Sequence, residues 1–355
     1  MAKFYYGGQA VMEGVMMRGR KTAAMAVRCP DNSIYLYEEA LNPRLYHNRL
    51  FRLPFLRGIL LLWEMLVLGT RLMTLSTNIA TGAIDPYAPS GSRVAGLDGD
   101  GGGAAGGAGD PGHLTPFEAE DRTDTRRSAD DGLPEQPERP PEIGGLALAL
   151  TLVVSLGFAI AVFFLGPLLI TGLLRNQIGQ GWLSLTLEGI IRLGLLVGYL
   201  YLIGRVPDIQ RVFGYHGAEH KTINAMEHGD PLDIPHVRRA SRVHTRCGTG
   251  FLLIVVVVSI VVFALVGSPS LLLKIVSRIV LVPVVAGIAY ELMRLGAANY
   301  RYRVVRWLLA PGLALQGLTT REPDDSMIEC AIAALQRVMS RDAQPVGATF
   351  EVARP

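Results

Sequence analysis

Apolar residues run through this chain in long blocks, and the blocks predict helices. Leu146 to Leu174 contains no charged residue, and neither does Phe251 to Val266. Leu183 to Ile203 is nearly as apolar but holds Glu188 and Arg192 at i, i+4, while Leu271 to Leu292 holds Lys274, Arg278 and Glu291. A helix that crosses a bilayer needs about 20 mostly apolar residues, so these four blocks read as transmembrane helices, the third one short. Phe55 to Ala80 is also apolar, but Arg57, Glu64 and Arg71 interrupt it. Charges so placed favour a helix lying on the membrane surface or only partly embedded.

Outside the blocks the pattern changes. Residues 1–40 read as short strands punctuated by Gly7, Gly8, Gly14 and Gly19, with Ala24–Arg28 and Ile34–Glu38 flanking a Pro30-Asp31-Asn32 turn. Near the C-terminus, Ile328, Ala331, Ile332, Leu335 and Met339 repeat at helical spacing, and Asp325 or Ser326 would cap an amphipathic helix ending at about Met339. Arg301 to Arg306 is basic and suits lipid headgroups, and Trp307 to Leu318 reads as a Pro/Gly-broken stretch at the interface. The fold class expected is therefore mainly α: about four transmembrane helices, a small N-terminal β-containing cytoplasmic part and a C-terminal amphipathic helix. The divisions fall at 1–80, 81–142, 143–300 and 301–355, with a His-rich loop at 204–250.

Composition supports a membrane setting, since half of the residues are hydrophobic, only 18% are charged and the mean hydropathy is +0.30. Residues 81–142 hold thirteen acidic residues against five arginines, a net −8, which leaves +11 on the rest of a chain whose overall charge is +3. That stretch is rich in Gly, Pro and Asp and cannot bury enough apolar surface to order itself, so it reads as a disordered linker. Its glycines lack the Gly-Lys-Ser/Thr of a phosphate loop. The basic remainder fits an anionic membrane leaflet, and no nucleic-acid recognition motif accompanies it. Cys29, Cys247 and Cys330 have no paired spacing, which argues against a disulfide framework and for a reducing compartment. The first residues lack the apolar run of a signal peptide. Seven arginines and lysines between Arg205 and Arg246 predict, by the positive-inside rule, that this loop and both termini are cytoplasmic.

Within the loop, Tyr215-His216-Gly217-Ala218-Glu219-His220-Lys221 carries the order H-x-x-E-H. Residues at i and i+4 share one helix face, so both imidazoles can reach one metal ion with Glu219 beside them. A helix over Pro207–Gly229 adds Asn224 and Glu227 to that face. His216 and His220 are expected as ligands of a divalent metal, preferably zinc, with Glu219 as the base. The third ligand is expected to be Glu291, His244 or Cys247, in that order. Glu13 and Arg18 are candidates to line a site, beside Lys221, Arg246 and Tyr290. The duller alternatives are that Glu219 pairs with Lys221 or Arg211, Glu291 with Arg294, and that Cys247 is a small buried hydrophobe.

Several of these stretches resemble the YqhQ-like family of bacterial membrane proteins. The resemblance rests on Gly7 to Gly19, His216 to Lys221, Arg246-Cys247-Gly248-Thr249, Tyr290-Glu291 and Thr319 to Asp325. It covers residues 1–80 and about 145–340, with Thr245 where proline is usual and Gly250 where serine is usual. The resemblance implies a multi-pass protein of the bacterial cytoplasmic membrane and a domain of unknown function that has been labelled a metal-dependent enzyme. The activity expected is metal-dependent hydrolysis at the cytoplasmic face, peptidase-like by motif analogy, on a protein or lipid substrate. The alternatives are a non-catalytic scaffold with a structural His/Glu cluster, and a transporter using Glu188, Arg192 and Glu291.

Overall fold

The computed structural model describes residues 6–41, 53–84, 161–174, 182–266 and 271–343, with isolated positions at 150, 154 and 158. Residues 85–142 of the predicted linker, and much of the first half of the first predicted span, lie outside the described residues. Strands β1 (Gly7–Val11), β2 (Gly14–Arg18), β3 (Thr22–Arg28) and β4 (Ile34–Ala40) form an antiparallel meander in that order. Glu13, at φ 51°, and Asn32, at φ 70°, take the left-handed conformation that two of its tight turns require.

The two-residue period of the strands sorts their side chains into two cores. Val15, Met17, Ala24 and Ala26 face one way, and Val11, Met16, Ala23, Met25 and Val27 face the other. The second set packs on Leu68, Leu72 and Ile79 of α1 (Leu56–Ala80). The first packs on two helices, α4 (Pro207–His228) and α9 (Asp325–Ala343). The sheet is thus the middle of three layers. Fully buried side chains such as Met16 and Met25 each contribute about 1.5–3 kcal/mol by leaving water.

Helix α1 divides its length between two partners. Its second half covers the sheet, and Ser76 accepts the Met12 backbone N–H at 3.1 Å. Its beginning leans on α7 (Leu271–Ala298), where Gly58 lies against the Tyr290 ring and Arg57 donates to Glu291 at 2.7 Å. The remaining apolar helices pack together: α3 (Trp182–Ile203), α6 (Gly248–Val266), α7 and α8 (Arg303–Thr319), joined by a π-helical turn at Ala161–Leu165 that runs on into α2 (Gly166–Leu173). Four helices among the described residues are long and apolar enough to cross a membrane: Leu56–Ala80, Leu183–Ile203, Gly248–Val266 and Val280–Ala298. The third begins three residues earlier than the sequence suggests, and the fourth extends past Leu292.

Two expectations are corrected. The stretch after Trp307 is one continuous helix with Pro311 inside it. Proline there removes one backbone bond, but Gly312, Leu315, Gln316 and Thr319 are buried and keep the turns on either side in register. The cap of α9 is Asp324, one residue earlier than expected, whose Oδ1 accepts the Met327 N–H at 2.9 Å. The amphipathic face of α9 is spent on the sheet. Its far end is tied there by Glu38, which takes hydrogen bonds from Arg337 and Arg341. Burial alone would raise the Glu38 carboxyl, but those two guanidiniums outweigh it and hold it below the ordinary value.

Helix α4 fits tightly because Gly217 lacks a side chain. A Cβ there would stand 2.1 Å from the Arg321 carbonyl oxygen. Gly217→Ala should therefore destabilise the protein by about 1–3 kcal/mol, read as a lower thermal midpoint in detergent. Gly198→Ala on α3, where a Cβ meets nothing within 4 Å, should leave the midpoint unchanged or raise it.

Candidate metal centre

Helix α4 is a polar helix that is nevertheless buried. It opens with Pro207 in the first turn beside Asp208, and closes at Gly229 in the left-handed conformation. The Asp230 N–H bonds the Ala225 carbonyl at 3.0 Å and the Gly229 N–H bonds Met226 at 3.2 Å, so the last carbonyls are satisfied. Between these ends Glu219, His220, Lys221, Thr222 and Asn224 are all buried. Buried polar groups need partners, and these residues find them on three sides.

The end of α5 (Ile234–Arg239) and the loop that follows it supply one side. Lys221 donates to the Arg238 carbonyl at 2.6 Å and reaches Glu322 at 2.6 Å. Asn224 donates to the carbonyls of Ser241 (2.7 Å) and Val243 (3.0 Å), and His220 Nδ1 meets the Arg242 carbonyl at 2.5 Å. The end of α8 supplies the second side. The Thr319 carbonyl lies 2.8 Å from His216 Nδ1, and Gln316 bonds both the N–H (3.0 Å) and the carbonyl (2.7 Å) of His244. Strand β1 closes the third, for a Cβ on Gly8 would lie 2.8 Å from Glu219 Cγ.

The two carbonyl contacts fix the chemistry of the imidazoles. A carbonyl only accepts, so Nδ1 of each ring carries a proton, and Nε2 is the nitrogen whose lone pair is available in the neutral ring. His216 Nε2 faces Cys247 Sγ at 3.4 Å, and the rings of His216 and His220 are 4.4 Å apart. One nitrogen of each histidine and Cys247 Sγ lie within 4.8 Å of one another. Tetrahedral zinc with N and S ligands sets those atoms about 3.3–3.7 Å apart, so the trio needs only a small contraction. Glu219 Oε2 stands 3.9 Å from His216 Nε2. Cys247 Sγ also accepts the Thr249 N–H at 3.4 Å, at the start of α6.

The structure brings together His216, Glu219, His220 and Cys247, and of the three residues expected as a further ligand only Cys247 joins the two histidines in one group among the described residues. Glu291, ranked first from sequence, is held by Arg57 and by the Phe55 N–H at 3.2 Å, and joins no His/Cys group. His244 lies beside the trio, its ring 5.7 Å from that of His220, with Nε2 3.8 Å from Glu227 and 3.3 Å from Arg246. Glu227 and Arg246 pair with each other. Arg18 pairs with Glu64 at 3.0 Å. Glu13 takes hydrogen bonds from Arg211 and from the Tyr215 hydroxyl (3.2 Å), pinning the first hairpin to α4. Burial, with Cys330 and Glu13 nearby, pushes the Tyr215 phenol well above its ordinary value, so it remains a donor. Tyr290 packs against Gly58, with Glu291 as its neighbour.

Sequence reasoning missed Gln316, the carbonyls of Thr319 and Arg242, and Gly8 as the space for Glu219. A carbonyl leaves no mark on residue type. Gln316, an amide in an apolar run, was the one available signal. Gln316→Leu strands both backbone groups of His244, so a loss of about 1–3 kcal/mol is expected; unfolding midpoints of the two proteins in the same detergent check it.

The family model described as "Protein of unknown function (DUF1385)" matches residues 53–341. The chain is 33% identical over 340 residues to the uncharacterized protein YqhQ of Bacillus subtilis, covering 95% of this chain and 93% of that protein. No solved structure matches the chain.

Proposed function

The chain belongs to the DUF1385 family, and we propose that it is a membrane-bound, metal-dependent hydrolase whose centre is His216, His220 and Cys247, with Glu219 as its base. The observation that carries the reading is the grouping of two imidazoles, each steered at Nδ1 by a backbone carbonyl, with one thiol: His216 Nε2 faces Cys247 Sγ at 3.4 Å, and one nitrogen of His220 lies within 4.8 Å of both. An imidazole steered by its second nitrogen is the usual arrangement around a bound metal.

A divalent ion, zinc by preference, would be held by His216, His220 and Cys247 and would supply Lewis acidity for activating water and polarising a carbonyl. Glu219 is the carboxylate at the edge of the group, with Oε2 3.9 Å from His216 Nε2. In this reading Glu219 would act as the base, taking a proton from the attacking water and returning it to the leaving group. Lys221 and Asn224 hold the 238–243 loop against α4 and so keep His220 in register. The substrate class that fits is a peptide or an ester, by analogy with H-x-x-E-H hydrolases. The apolar helices are proposed to cross the bacterial cytoplasmic membrane with the centre at the cytoplasmic end, in accord with the arginines of the 204–250 segment.

A second reading rests on the burial of Glu219 beneath Gly8. There Glu219 completes a closed four-ligand site, and the metal is structural.

Elemental mass spectrometry of protein purified without chelators should find about one zinc per chain, by the three-ligand geometry above, and His216→Ala/His220→Ala should carry none. Equal metal in the two proteins sinks the assignment. The cobalt-substituted protein should show thiolate-to-metal charge transfer that Cys247→Ser abolishes. Glu219→Gln separates the two readings. An open catalytic centre keeps its metal affinity and cobalt spectrum in that variant, whereas a closed site loses affinity by about 10-fold or more.

A further inference from the structure

Helix α8 does two things at once. Its inner stripe, Gly312, Leu315, Gln316 and Thr319, is buried and forms the wall of the metal centre. Its outer stripe is apolar and uncovered: Val304 is 70% exposed, Trp307 83% and Leu308 71%, at spacings of three and four residues. Pro311 continues the same exposed line.

The contacts of α8 also fix where it lies. Leu309 touches Gly296 near the end of α7, Gly312 touches Gly250 in the first turn of α6, and the Leu318 carbonyl approaches Gly204 just past α3. These are the ends of three apolar helices on one side of the bundle, so α8 lies across that end and does not run alongside the spans. The same end carries an aromatic and basic rim. Arg205 sits over the Tyr201 ring at 4.4 Å and Arg301 over the Tyr302 ring at 4.8 Å, with both tyrosines half exposed. Arg303 and Arg306 are exposed on α8 itself, and no acidic residue occurs between Leu292 and Thr320. Exposed arginines flanking an apolar, tryptophan-bearing stripe are what an anionic leaflet binds, while tyrosine and tryptophan rings settle at headgroup depth.

We infer that α8 is an in-plane interfacial helix that seats Val304, Trp307 and Leu308 among the upper acyl chains and holds anionic phospholipid headgroups through Arg301, Arg303 and Arg306. The inference rests on the reading that the apolar helices cross a membrane, and is independent of the proposed metal.

The test uses the full chain in vesicles of phosphatidylethanolamine and phosphatidylglycerol, with lipids brominated near the headgroup end or near the methyl end of the acyl chain. The Trp307 signal is the difference between wild type and Trp307→Phe. Quenching should be strongest from the shallow label. Brominated phosphatidylglycerol should quench more than brominated phosphatidylcholine at equal mole fraction, by a local enrichment of about fivefold if one arginine acts at the membrane surface. Arg301→Gln/Arg303→Gln/Arg306→Gln should erase that preference and leave the depth unchanged. Stronger quenching from the deep label, or none from either, overturns the interfacial placement. Equal quenching by the two headgroups in wild type overturns the anionic-lipid assignment. Resistance to alkaline carbonate extraction is measured on each sample. Its loss in the wild type would refute the membrane reading itself, apart from the placement of α8.

Discussion

Burying a polar helix obliges the rest of a protein to meet its hydrogen-bonding groups, and α4 sets that obligation here. A carboxylate, an imidazole, an ammonium and an amide lie within six residues, and an unpartnered polar group of this kind costs about 1–3 kcal/mol. The surroundings are arranged accordingly. The 238–247 loop turns its carbonyls inward, the end of α8 contributes a carbonyl and an amide, and the first strand keeps glycine where the carboxylate needs room. The sheet, sandwiched between α1 and the α4–α9 pair, is the frame that holds these three walls in place.

Much of this frame was legible in the sequence because its signals are local. The meander announces itself by glycines, a Pro-Asp-Asn turn and alternating side chains. The helix from Pro207 to Gly229 has proline at its start and glycine at its end, and the i, i+4 histidines need no tertiary information to share a face. The non-local part was read poorly. Glu291 looked like a ligand because a charge within an apolar helix invites a functional reading, yet it pairs with Arg57, 234 residues away in sequence, and at 4.0 Å with Arg294, the duller alternative. Cys247 ranked last because a lone cysteine resembles a small hydrophobe, and only the return of the chain at the start of α6 brings it to His216. Pro311 looked like a helix break because its cost is visible in sequence, whereas the packing that offsets it is not.

The division of labour along α1 follows the same logic. By length and composition it equals a membrane span. Yet Leu68, Leu72 and Ile79 are committed to the sheet, and only its first turns meet another apolar helix. Hydropathy counts apolar residues without knowing whether lipid or protein covers them.

Both histidines are steered by main-chain oxygens, at positions 319 and 242. A main-chain oxygen is present whichever amino acid occupies the position, so the tautomer and aim of the imidazoles are insulated from side-chain drift there. The arrangement is instead exposed to changes in chain path: an inserted or deleted residue between 238 and 247, or in the bend after α8, would move an acceptor that no point substitution can remove. Relatives that retain this centre should therefore tolerate exchange of residue type at those two positions far better than any change in loop length.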